Sequence, residues 1–126
     1  MKLLLAACLL GTSLSMTSCA TGQERWCNRV EDAAPGLARA LDEGGAEKGL
    51  IDALPTLQDL ADDAPDDVRA EWRTLVDAVE GLDSAVEADD EKATQQAALK
   101  LASPDVQDAA DAIEQQARDV CHTGLF

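Results

Sequence analysis

The chain has 126 residues, enough for one small domain and no more. Its 10 Lys and Arg against 25 Asp and Glu give a formal net charge of −15, which excludes a nucleic-acid partner, because phosphate contacts need a concentrated basic surface. Hydrophobic residues make up 46% of the chain, too many for a disordered one. They are chiefly Ala, Leu and Val, with 2 Trp, 1 Phe and no Tyr, a composition of good helix formers without β-branched alternation. The expected class is all-α.

The chain opens with one basic residue, Lys2, an apolar stretch from Leu3 to Leu10 that weakens toward Met16, and small residues around Cys19. That is the layout of a secretory signal peptide. A membrane-spanning helix needs about 20 consecutive apolar residues, and this run is shorter and interrupted by Gly11, Thr12 and Ser13. The segment Met16-Thr17-Ser18-Cys19 resembles a bacterial lipobox, with Met16 where Leu is usual. Residues 1–18 are therefore expected to be removed, Cys19 to carry lipid, and 19–25 to form a short tether. Leu5-Ala6-Ala7-Cys8 fits the lipobox letters better, but cleavage there would leave too short an apolar run. Ordinary signal-peptidase cleavage after Ala20, releasing a soluble protein, stays open as the alternative. With two or three acyl chains on Cys19 the protein would sit extracytoplasmically, anchored to the cell membrane.

A first helix is expected from Trp26 to about Glu43, because Trp26, Val30, Ala33, Leu37 and Leu41 recur at alternating spacings of four and three. Pro35-Gly36 should kink it and Gly44-Gly45 should end it. Leu50, Leu54, Leu57 and Ala61 carry a second helix from about Ala46 to Asp62, with Pro55 inside it. Pro65 is expected in the first turn of the third, with Asp66 and Asp67 favouring its positive N-terminus. Val68, Trp72, Leu75, Val79, Leu82 and Val86 form its stripe. Asp89 and Asp90 start a short Ala-rich segment to about Leu101. Ser103 as N-cap and Pro104 at the first helical position open a last helix lined by Val106, Ala110, Ile113, Ala117 and Val120. Residues 122–126 are expected as a frayed tail.

Of the 4 Cys, Cys8 leaves with the signal and Cys19 takes lipid, so Cys27 and Cys121 remain as an even pair in an oxidising compartment. They should form a disulfide. A metal site there would have only His122 as a further ligand, which is incomplete. Counting the short Ala-rich segment as the lead-in to the last helix gives an antiparallel four-helix bundle over 26–121. An even number of helices returns the last one to the end where the first began, as a bridge requires. At this point the chain resembles the small secreted lipoproteins of actinobacteria, with a lipobox, Trp26-Cys27, the run Leu60-Ala61-Asp62-Asp63-Ala64-Pro65-Asp66-Asp67-Val68, Trp72 and Cys121. The resemblance covers residues 16–121 and implies an envelope location and a helical fold. It implies no activity.

Nucleophilic catalysis needs a nucleophile with an orienting base, and the mature part offers Ser84, Ser103 and a few Thr beside one His122. No triad is plausible, and no cofactor motif is present. Trp26 and Trp72 at stripe positions are expected in the core, Trp26 having lipid headgroups as its alternative surroundings. The clusters Asp62-Asp63, Asp66-Asp67 and Asp89-Asp90-Glu91 match no EF-hand spacing and read as helix ends. If the helices alternate, the 62–67 turn lies at the membrane end beside Arg25, Arg29 and Arg118, leaving Asp89, Asp90 and Glu91 as a distal acidic surface for a partner. The expected function is thus a non-enzymatic envelope lipoprotein, a docking or structural module. The alternative is a small-ligand or divalent-cation binder using a groove opened by Pro35 and Pro55.

Overall fold

The computed structural model describes residues 21–126; the expected export signal 1–18 and the expected lipidation position Cys19 lie outside the described residues. Helix α1 spans Gly22–Asp62. It starts on a capping box, in which the Thr21 hydroxyl accepts from the Glu24 N–H at 3.2 Å and the Glu24 carboxylate accepts from the Thr21 N–H at 3.0 Å. Residues 22–25, expected as tether, are therefore the first turn of the bundle. Dihedrals stay helical through Pro35 and Pro55, each of which removes one backbone hydrogen bond, so the helix continues through both.

The break falls at Gly45, with φ 71° and ψ −174°, a conformation essentially confined to glycine. It divides α1 into two arms, 22–44 and 46–62. The arms fold back on each other, since Arg29 near the start of the first reaches Asp63 at the end of the second across 2.7 Å. Close approach at the corner needs two more glycines. A Cβ on Gly49 would lie 2.6 Å from the Ala40 carbonyl oxygen, and one on Gly44 would lie 2.7 Å from the Gly49 nitrogen.

Helices α2 (Arg69–Glu87), α3 (Glu91–Leu101) and α4 (Pro104–Cys121) follow. Pro65 opens a turn rather than α2 itself, with the Val68 N–H donating to the Pro65 carbonyl at 3.1 Å. Asp89 stands in the left-handed region (φ 54°), and Asp90 caps α3 by accepting from the Ala93 N–H at 3.0 Å. Ser103 and Pro104 hold the expected places, but the single Ser103 hydroxyl proton is directed to the Asp105 carboxylate at 2.6 Å or to the nearby Lys100 carbonyl, and the side chain does not cap. Helix α3 contains no buried residue and lies mainly on α2, whereas α4 packs on both α2 and α1. The architecture is the expected antiparallel four-helix bundle, built from the two arms of α1, α2 and α4, with α3 as lead-in.

Trp26, Val30, Leu37, Leu57, Leu60, Trp72, Val79 and Ile113 make the centre of the core. Trp26 and Trp72 meet edge to face, with ring centroids 5.9 Å apart, and the Trp26 indole N–H donates to Gln116 on α4 at 3.1 Å. Both are core residues, so Trp26 offers nothing to lipid. The Trp72 indole N–H is enclosed with no acceptor among the described residues, a cost of about 1–3 kcal/mol. Val86, the last position of the α2 stripe, is 48% exposed and lies outside the core.

Candidate functional site

Cys27 and Cys121 are joined by a disulfide, with Cα atoms 5.0 Å apart. It ties the first turns of α1 to the last turn of α4, beside the Trp26–Gln116 hydrogen bond. The 62–67 turn lies at this same end: Gly22, Gln23, Trp26, Asp63, Pro65, Asp66 and Val120 border one shallow depression. Its charges are partly neutralised, Asp63 by Arg29 and Asp66 by Arg69 at 2.8 Å. Arg118, expected at this turn, pairs instead with Glu114 one helical turn away at 2.7 Å. Among the described residues no group of three or more His, Cys, Asp or Glu is placed to hold a metal ion, and no helix is long and apolar enough to cross a membrane.

Asp89, Asp90 and Glu91 are exposed at the α2–α3 turn, with Val86, Thr94 and Gln95 beside them. Asp90 is occupied as the α3 cap, which leaves Asp89 and Glu91 as the outward-facing acids of the expected partner surface.

An apolar groove stands apart from these charges. Leu50, Leu75, Leu101, Val106, Ala110 and Phe126 line a space of about 280 Å³ between the Gly45 corner and the α3–α4 junction. Glu47, exposed beside the corner, is the one ionisable side chain in its lining. Phe126 belongs to a tail that was expected to fray. Its neighbour Leu125 is 2% exposed and enters the core, and the Glu114 carboxylate accepts from the Leu125 N–H at 2.7 Å and the Phe126 N–H at 3.1 Å. His122, in the left-handed region (φ 56°), ends α4 and turns the chain back along it. Two large apolar residues side by side, Leu125-Phe126, were the sequence signal for this docking.

Burial pushes the Glu114 carboxyl up, but the Leu125 N–H, the Arg118 guanidinium and the Phe126 N–H together outweigh it and hold the carboxyl below its ordinary value of 4.5. A lowered folded value means stability present above the ordinary value and lost as pH falls through the folded one. Leu125 methyl and Phe126 ring resonances should therefore keep their docked positions at neutral pH and move toward free-chain positions only below about pH 4.5. Glu114→Gln should remove that pH step; a step unchanged in the variant would assign it to another group. The Lys100 ammonium and the Ser103 hydroxyl lower the exposed Asp105 carboxyl to about 2.

A larger trough of about 700 Å³ runs between the second arm of α1 and α2, walled by Asp59, Asp62, Arg69, Arg73, Asp77 and Glu80. Its mixed charges bring no nucleophile and base together. No family model, curated protein or solved structure matches the chain.

Proposed function

We propose that this chain is a non-enzymatic docking module held on the outer face of the cell membrane by lipid on Cys19. The observation that supports it best is the Leu50–Leu75–Leu101–Phe126 groove, an apolar recess on a strongly acidic, disulfide-closed bundle. At about 280 Å³ it falls just under the roughly 300–1,000 Å³ of small-molecule pockets and suits one anchoring side chain of a protein partner. The anchor at Cys19 and the closure of the bundle at Cys27 keep the domain near the membrane, where envelope proteins are within reach.

Photo-crosslinking in intact cells from positions 47, 99 and 90 tests this reading. A discrete protein adduct is expected from 47 or 99, with Cys19→Ala releasing the protein or leaving an uncleaved precursor. An adduct from 90 alone would place the partner on the Asp89–Glu91 turn. Absence of adducts from all three positions, together with a Ca²⁺ titration heat that disappears in Asp66→Asn/Asp67→Asn, would replace docking by cation binding.

A further inference from the structure

The groove is not a general sticky surface, because the charge around it selects. Its floor and walls are Leu50, Leu75, Leu101, Val106, Ala110 and the half-exposed Phe126, with Glu47 as the one ionisable side chain. Leu99, on the same helix as the lining residues Ala98 and Leu101, is 72% exposed but is not part of the lining. The whole chain carries −15. A second copy would bring the same negative field to the same place, so self-association through this groove is opposed by charge. An anionic amphiphile is opposed in the same way.

We infer that the groove receives an apolar side chain from a basic amphipathic segment of a partner protein, with a Lys or Arg about one helical turn from the anchor meeting Glu47. This rests on the docking reading and adds to it the chemistry of the partner. The volume is sufficient for a Leu- or Phe-sized anchor. Glu47 and the field of the chain supply the choice of sign, which acts mainly on encounter and specificity.

The test uses the chain as recovered from membranes, held in phosphatidylcholine nanodiscs, and three short helical peptides read by fluorescence anisotropy against empty nanodiscs. One peptide has a leucine face and a lysine face. The second replaces lysine by glutamate, and the third replaces leucine by alanine. The lysine–leucine peptide should bind at least about tenfold tighter than either of the others, with affinity falling as salt rises. Glu47→Gln should weaken it roughly twofold to fivefold, the size of an exposed ion pair, and Phe126→Ala by about fivefold or more as a lost wall of the anchor site. Should Phe126→Ala disturb the tail, Glu47→Gln and methyl shifts at Leu50, Leu75 and Leu101 decide the matter. Equal binding of the lysine and glutamate peptides, or affinity indifferent to both substitutions and without shifts at those methyls, would overturn the inference. A dimer in sedimentation that Phe126→Ala dissolves would give the groove to a second copy and overturn it too. Binding of no peptide also overturns it, while adducts from position 47, 99 or 90 in cells would still uphold the docking reading.

Discussion

Replacing Cys121 or Cys27 by Ser should lower the unfolding free energy by about 4–5 kcal/mol, the loop-closure entropy expected for a bridge over some 94 residues. A domain of this size has about 5–15 kcal/mol in total, so either variant should be marginal at physiological temperature. The midpoint of thermal unfolding should fall by about 20 °C or more. The bridge also has a local role, because Cys121 is 6% exposed and precedes the turn at His122 that sends Leu125 into the core. Reduction of the wild type should therefore release the tail as well as lower the midpoint. Urea unfolding of oxidised, reduced and Ser-substituted protein measures both, and a loss smaller than about 1 kcal/mol would mean that the unfolded chain is already compact enough to hold the two ends together.

Gly49→Ala should destabilise the bundle by about 3 kcal/mol, at the upper end of the range for overpacking. The added methyl would meet backbone, the Ala40 carbonyl oxygen at 2.6 Å and the Leu41 Cα at 2.8 Å, and backbone cannot turn aside as a side chain can. The two arms of α1 would have to separate at the corner, carrying Leu50 away from the rest of the groove. Gly36→Ala is the matching control. It lies in the same helix with nothing within 4 Å of its added methyl, so the higher helix propensity of Ala should raise stability by up to about 1 kcal/mol. Opposite signs from the same substitution in one helix would be read directly from urea midpoints. Equal effects at the two positions would mean that the arms do not touch at Gly49.

The acidic turn at residues 89–91 calls for gentler substitutions than charge reversal. Asp89 holds a left-handed conformation that Asp and Asn tolerate better than Lys, and Asp90 caps α3. Asn at both positions and Gln at 91 remove the charge while keeping the turn, which separates a charge effect on a partner from partial loss of α3.

By itself the sequence determined the helices, the pairing of Cys27 with Cys121 and the corner at Gly44-Gly45. Each is written in local spacing or in a count: apolar residues recurring every three or four positions, two cysteines left within the helical region, and two glycines in a row where a stripe ends. The start of α1 lies four residues before the expected one, at the Thr21-x-x-Glu24 capping box, because the apolar stripe begins only at Trp26 and the polar first turn reads as tether. Only the tertiary structure decided the rest. Whether Pro35 breaks a helix depends on what the surrounding packing holds in place, and here α1 continues through it. Gly49 reads in sequence as a weak point of a helix, and its reason is the backbone of Ala40 on the opposite arm. The groove has no signature of its own, because Leu50, Leu75, Leu101 and Phe126 come from distant parts of the chain and look like ordinary core residues. The tail carried only a local hint, the apolar pair Leu125-Phe126, and where it docks was not written in the sequence. Periodicity reports one face of one element, whereas Leu125 is buried by the core it enters and by a carboxylate on another helix, Glu114, that accepts its N–H.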